Sequence, residues 1–89
     1  MLIALIARDK PGALQTRLDN RDAHLAYIKE TGIVAQAGPL LDDSGNMAGS
    51  LVILDVETMQ QAQDWADHDP YAKAGLFGAV ELIEWKKVI

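Results

Sequence analysis

The chain has 89 residues, 49% of them hydrophobic and 24% charged, with a formal net charge of −5 and no cysteine. One domain spanning 1–89 is expected, because this length supports a single small core and this composition excludes general disorder. The acidic balance argues against a nucleic-acid partner, the short apolar runs exclude a membrane-spanning helix, and the lack of cysteine excludes disulfides and thiolate metal sites.

The first predicted elements are a strand and a short helical turn. Met1–Ala7 is a nearly continuous apolar run, which is typical of a strand covered on both faces. Its charged neighbours follow it rather than precede it, so it does not resemble a secretion signal and we expect a cytoplasmic protein. Pro11 and Gly12 then break the chain and begin a short helical turn.

A separate helix is predicted from about Arg21 to Thr31. Four residues fall on one stripe at helical spacing and are expected to face the core: Arg21, His24, Leu25 and Ile28. Asn20 is the predicted N-cap, Asp22 falls in the first turn, and Gly32 ends the helix as its C′ residue.

Two strands joined by a turn follow this helix. Ile33–Leu41 is the second predicted strand, and Pro39 inside it indicates an edge position or a bulge, because proline cannot donate to the ladder. Asp42–Asn46 is rich in turn-forming residues, and Ser50–Val56 is the third strand.

The last third of the chain predicts a helix, a helical turn and a strand. Thr58 and Gln61 form a capping box for a helix whose apolar face carries Met59, Ala62, Trp65 and Ala66. Asp69-Pro70 begins the short turn. Ala79–Ile89 is the last strand, in which a bulge near Ile83 would restore the alternation of apolar and polar residues.

This β-α-β-β-α-β order predicts an α+β, ferredoxin-like fold in which both helices cover one face of a four-stranded antiparallel sheet. Trp65 and Trp85 are predicted to lie in the core. The first and third strands carry apolar residues at both parities, so the second sheet face also needs cover. We therefore expect a homodimer with a dimeric α/β-barrel-type assembly, which also supports so small a domain.

His24 is the most informative polar residue. On the inward stripe it is expected to be partly buried, where a carboxylate can tune the imidazole for general acid–base work. The alternative is a histidine at the edge of the core with no chemical role.

Asp69 has two possible roles. Directly before Pro70, it fits the N-cap of the short turn that Gly75 ends. It could also hold a histidine ring nitrogen, because antiparallel helices on one sheet face bring His24 and Asp69 toward the same end of the molecule. The two roles are compatible.

Three further residues are candidates for substrate binding, each with a plainer alternative. Arg21 could bind an anionic group or extend along the surface. Ser50 could offer its hydroxyl to a pocket or simply begin a strand, and Tyr71 could line a pocket or bridge a dimer. Two histidines with unpatterned carboxylates do not make a metal site, and His68 is expected to face solvent. No nucleotide-binding or serine-hydrolase motif is present, so we expect no cofactor.

Together these segments resemble the YciI-like (YCII-related) family in order and spacing, over nearly the whole chain. The matching segments are Ala7-Arg-Asp-Lys-Pro-Gly12, Arg21-Asp-Ala-His-Leu25, Ala37-Gly-Pro39, Gly49-Ser50 and Ala66-Asp-His-Asp-Pro-Tyr-Ala-Lys-Ala-Gly75. The resemblance implies a ferredoxin-like dimer with a histidine/aspartate active site, at His24 and Asp69 here. Asp22 stands where the family often has proline, on a different helix face from His24.

Two functions remain open. The first is a cofactor-independent enzyme that uses His24 and Asp69 for acid–base chemistry, of the lyase or hydrolase kind, on a small aromatic or anionic molecule. Relatives in the family include an enzyme that removes chloride from a chlorinated hydroxyhydroquinone. An aromatic substrate for this chain is expected only by analogy with that enzyme. The second is a non-catalytic, dimeric module that binds a small ligand or assists a partner enzyme.

Overall fold

The computed structural model describes residues 1–89 and has the ferredoxin-like α+β architecture that the sequence predicts. In chain order the elements are β1 (Leu2–Asp9), α1 (Leu14–Thr31), β2 (Val34–Leu41), β3 (Met47–Asp55), α2 (Met59–His68), α3 (Pro70–Lys73) and β4 (Phe77–Trp85). The four strands form one antiparallel sheet in the order β2-β3-β1-β4. No helix is both long enough and apolar enough to cross a membrane.

The core lies between the sheet and the helices. Alternate residues of β1 point toward the helices, and Ile3, Leu5 and Ala7 are all at most 1% exposed. Their partners on β3 point the same way, since Ile3 pairs with Leu54 and Leu5 with Val52. From α2, the residues that complete this core are Ala62, Trp65 and Ala66. Met59, predicted on the same apolar face, is instead 39% exposed.

The opposite face of the sheet, here called the outer face, is apolar and uncovered in the monomer. Leu51, Ile83 and Trp85 lie on it, since they pair with or stand opposite the even-numbered residues of β1. They are between 39% and 51% exposed. The prediction that Trp85 belongs to the core is therefore wrong, because this residue falls on the side of β4 that no helix covers.

The predicted bulge near Ile83 is also wrong. Pairing between β1 and β4 is regular from Leu2–Trp85 to Arg8–Ala79, and the irregularity falls between Arg8 and Asp9. Leu82 and Ile83 are both apolar because they point to opposite faces, Leu82 half-buried beneath the helices and Ile83 on the outer face.

The predicted short turn and separate helix are in fact one helix, α1. Asn20 is not an N-cap but lies inside α1, where its side chain donates to the carbonyl oxygen of Thr16 at 2.8 Å. Arg21 and Leu25, both predicted on the inward stripe, are exposed, Leu25 by 45%. The reason is that the buried stripe of α1 is polar, with Arg17 and His24 facing inward, so a search for apolar periodicity misplaces both the start and the face.

Several local predictions are confirmed. Gly32 ends α1 in the left-handed conformation, with φ of 66°. Thr58 and Gln61 form the reciprocal capping box at the start of α2. Strand β2, which contains Pro39, lies at the edge of the sheet and has register shifts near both ends.

Candidate active site

The structure brings His24 and Asp69 into direct contact. Nδ1 of His24 lies 2.8 Å from Oδ1 of Asp69, and the two residues are 6% and 1% exposed. His24 points inward from α1, whereas Asp69 stands at the junction between α2 and α3. The same Oδ1 accepts the backbone N–H of Tyr71 at 3.0 Å, so Asp69 is the N-cap of α3 and the partner of His24 at once.

This contact determines which nitrogen of His24 is available for chemistry. The carboxylate of Asp69 is an acceptor, so Nδ1 carries a proton and Nε2 of the neutral ring keeps its lone pair. Nε2 has no hydrogen-bond partner within the protein. Every fully buried side-chain nitrogen or oxygen does have one, so Nε2 is not fully buried. It therefore reaches the solvent of the cavity that His24 lines.

The cavity has a volume of about 180 Å³ and lies between α1, α3, the middle of β2 and the first half of β3. Its polar lining consists of Arg17, Arg21, His24, Ser50 and Tyr71. Each of the three residues predicted to bind substrate is among them. Drug-sized ligands occupy roughly 300–1,000 Å³, so this cavity suits a molecule of about one ring.

Tyr71 forms one wall of the cavity against the histidine. Its ring stacks on the imidazole of His24 with centroids 4.0 Å apart and planes 16° from parallel. Burial raises the pKa of Tyr71 above its ordinary value, although the nearby charges of Arg17 and Arg21 partly oppose this. The hydroxyl is therefore protonated at neutral pH and can donate to a ligand.

Arg17 is a site residue that the sequence reasoning missed. It is 2% exposed, and its Nε and Nη2 donate to the two carboxylate oxygens of Asp9 at 2.7 and 2.8 Å. Nη2 also donates to Oγ of Ser50 at 2.9 Å, and the guanidinium carbon lies 4.6 Å from the ring centroid of Tyr71. Burial lowers the pKa of Arg17, but hydrogen bonding and charge from Asp9 raise it more, so the residue is always cationic.

The spacing of α1 carries a signal that could have revealed Arg17. It stands seven residues before His24, which places both on one face of a continuous helix. Sheet register then supplies its partner, because Ser50 pairs with Ala7 and shares with it the face beneath α1. His68, by contrast, is exposed and lies outside the cavity, with Nδ1 2.7 Å from the carbonyl oxygen of Asp64.

Comparison with protein families gives a match over almost the whole chain. The family described as the YCII-related domain matches residues 1–86. Two similar relatives are Protein YciI of Escherichia coli O6:H1, 39% identical over 97 residues, and an uncharacterized protein of Haemophilus influenzae, 36% identical over 97 residues. In both cases the alignment covers 99% of this chain and 99% of the relative.

Two solved structures resemble the fold. One is 5-chloro-2-hydroxyhydroquinone dehydrochlorinase (TftG) from Burkholderia phenoliruptrix, in complex with 2,5-dihydroxybenzoquinone. It superposes with a TM-score of 0.88 at 37% identity and covers 97% of this chain and 94% of its own. The other is an uncharacterized NIPSNAP domain protein from Burkholderia xenovorans, with a TM-score of 0.51 at 20% identity. The match covers 93% of this chain and 90% of the other, and the similarity is one of fold only.

Proposed function

Because this chain belongs to the YCII-related family, we propose that it is a cofactor-independent enzyme in which His24 transfers a proton to or from a small molecule. One observation carries the proposal. The imidazole is held through Nδ1 by the buried carboxylate of Asp69, while Nε2 opens into a cavity large enough for a ligand. In catalytic dyads of this kind, a buried carboxylate orients the imidazole and the histidine acts as the general acid or base.

The chemistry follows from the charges of the pair. When Nε2 of His24 accepts a proton from the substrate, the ring becomes a cation, and the carboxylate 2.8 Å away stabilises it. The same proton can then be returned to another substrate atom or lost to solvent. In an elimination, the leaving group departs with its bonding electrons as the proton reaches Nε2, so charge balances without a redox cofactor.

A hydroxylated single-ring compound is the substrate class that we favour. The related dehydrochlorinase acts on a chlorinated hydroxyhydroquinone, and its structure contains a dihydroxybenzoquinone. A six-membered ring of this kind suits a cavity of about 180 Å³. The hydroxyls of Ser50 and Tyr71, with the guanidinium of Arg21, line that cavity and provide the hydrogen bonds to hold such a ring.

The test is a screen of chlorinated and unchlorinated hydroxyhydroquinones and hydroxyquinones, including 2,5-dihydroxybenzoquinone, with product analysis. We expect turnover that His24→Gln reduces by about 10²–10⁴, the usual contribution of a general acid or base. His68→Gln is the matched control, because His68 is exposed and outside the cavity. Undiminished turnover in His24→Gln would overturn the proposal. Ligands bound but recovered unaltered would favour a non-catalytic binding module instead.

We also propose that the outer face is covered by a second copy of this chain. A domain of 89 residues gains little from its single core, and the outer face exposes Leu51, Ile83 and Trp85 together. Pairing two such faces by a two-fold axis would bury both with no further partner.

Sedimentation at micromolar concentration tests this assembly. We expect a dimer for the wild type and a monomer for Ile83→Glu, which places a charge on the outer face. Leu18→Glu is the matched control, because Leu18 is 47% exposed but lies on α1, on the other side of the sheet. A monomeric wild type would contradict the proposal.

A further inference from the structure

The last turn of α2 departs from α-helical hydrogen bonding directly before Asp69. In a continued α-helix, the N–H of Asp69 would donate to the carbonyl oxygen of Trp65, four residues earlier. It donates instead to the carbonyl oxygen of Ala66, at the long distance of 3.4 Å. That carbonyl is free because its own α-helical partner would be the N–H of Pro70, and proline has none. Pro70 thus accounts for one of the two displaced bonds.

Tyr27 accounts for the other displaced bond. From α1, its hydroxyl donates to the carbonyl oxygen of Trp65 at 2.8 Å. The two aromatic rings also pack on each other, with centroids 4.9 Å apart and planes 36° from parallel. The acceptor that the N–H of Asp69 would use in a continued helix is therefore already occupied by a side chain of α1.

Trp65 is joined to α1 at a second point as well. Its Nε1 donates to Oγ1 of Thr31 at 2.9 Å, and the hydroxyl of Thr31 donates to the carbonyl oxygen of Tyr27 at 2.8 Å. Trp65 is 4% exposed, so its backbone and its indole are both held at the edge of the core. We call Tyr27, Thr31 and Trp65 the clamp, because their hydrogen bonds fix the last turns of α2 against α1.

The clamp lies beside the contact between His24 and Asp69. Tyr27 follows His24 by three residues, which places both side chains on one face of α1. Burial raises the pKa of Tyr27, and the charge of Asp69 raises it further, as expected of neighbouring groups. Movement of the end of α2 away from Tyr27 would therefore also move the carboxylate of Asp69 relative to His24.

We infer that Tyr27 is a positioning residue, whose hydroxyl fixes the end of α2 and so directs the carboxylate of Asp69 at Nδ1 of His24. Without that hydroxyl, the N–H of Asp69 can return to its α-helical partner, and this rotates the residue and loosens the contact. Tyr27 does not line the cavity, so it affects a ligand only through the pair. The catalytic meaning of this role rests on the proposed function.

Tyr27→Phe tests this role, because it removes the hydroxyl and keeps the ring that packs on Trp65. The first readout is the exchange of the Nδ1 proton of His24 with solvent, followed by NMR, which needs no substrate. We expect exchange about two- to tenfold faster than in the wild type, the range that corresponds to the loss of one hydrogen bond. In turnover, kcat should fall by a similar factor and KM should not change, because the lining of the cavity is unaltered.

Thr58→Ala is the matched control. It removes a hydrogen bond from the other end of α2, where Oγ1 of Thr58 accepts the N–H of Gln61. Proton exchange and kcat in this variant should match the wild type, because a general loss of stability does not alter the contact of His24. 4-Aminophenylalanine at position 27, which keeps an N–H donor in place of the hydroxyl, should restore both quantities. Equal acceleration in Thr58→Ala, or wild-type exchange in Tyr27→Phe, would overturn the inference.

The two readouts separate this inference from the proposed function. If exchange accelerates in Tyr27→Phe while turnover in His24→Gln is normal, the proposed chemistry fails and the positioning of Asp69 by Tyr27 stands. If His24→Gln loses turnover but Tyr27→Phe keeps the exchange rate or the kcat of the wild type, the inference about Tyr27 fails alone.

Discussion

Nδ1 of His24 lies 2.8 Å from Oδ1 of Asp69, and that oxygen also accepts the N–H that begins α3. A single atom therefore holds the imidazole and caps a helix. The site is therefore tied to the connection between α2 and α3. Replacing the carboxylate of Asp69 by an amide removes its charge but keeps an acceptor oxygen, so the two properties can be tested separately.

Asp69→Asn should lower turnover and barely affect stability. The amide oxygen can still accept from Tyr71 and from Nδ1 of His24, but it no longer stabilises a cationic ring. We expect turnover to fall by about 10²–10⁴. Asp69→Ala should in addition lose about 1 kcal/mol of unfolding free energy with the cap. Urea denaturation beside turnover measurements checks both, and wild-type turnover in Asp69→Asn would contradict the dyad.

Gly49→Ala should destabilise the fold and disturb the cavity. A Cβ at Gly49 would overlap the backbone carbonyl oxygen of Ala7, which cannot move without shifting the pairing of β1 with β3. We expect a loss of about 1–3 kcal/mol in unfolding free energy, as for other overpacked sites. Because Ser50 is the next residue, ligand binding should weaken as well. Gly38→Ala is the control for stability, since a Cβ there meets no atom within 4 Å.

Thr58→Ala should reduce stability and leave the site unaffected. Oγ1 of Thr58 accepts the N–H of Gln61 at 3.1 Å, and this bond is lost in the variant. The expected cost is about 1 kcal/mol. Thr58 caps the end of α2 remote from Asp69, so turnover per folded molecule should match the wild type. Thermal denaturation measures the loss, and Thr58→Ser should restore it.

The two tyrosines should make the protein less stable in alkali. Burial raises the pKa of Tyr27 and of Tyr71 above 10.0, so each holds its proton more tightly in the folded state. Above pH 10.0 the unfolded chain therefore binds fewer protons, and the free energy of unfolding falls as pH rises through the folded-state values.

Urea denaturation at neutral pH and above pH 10.0 measures this dependence. Tyr71→Phe should make the decline shallower. Tyr27→Phe should do so too, but it also loses the hydrogen bond to the carbonyl oxygen of Trp65, at about 1 kcal/mol. Ionisation of both phenols near pH 10.0 in the folded protein, followed by ultraviolet absorbance, would contradict the prediction.

Sequence reasoning succeeded where the physical cause is local. The capping box of Thr58, the edge position of the strand with Pro39 and the N-cap role of Asp69 each depend on a backbone restriction or a hydrogen bond within a few residues. The order of elements follows from the same local patterns, and it was enough to predict the ferredoxin-like sheet. The apolar stripe of α1 placed His24 inward correctly but wrongly placed Leu25 there as well.

The tertiary structure decided which polar residues meet. Arg17 and Ser50 are 33 residues apart, and His24 and Asp69 are 45 apart, so neither contact leaves a periodic trace in the sequence. Sheet register places Ser50 beneath α1, and the packing of α1 against α3 turns His24 onto Asp69. Arg17 was missed because charged residues are ordinarily exposed. Its burial depends on Asp9, whose carboxylate compensates the charge only once the chain has folded.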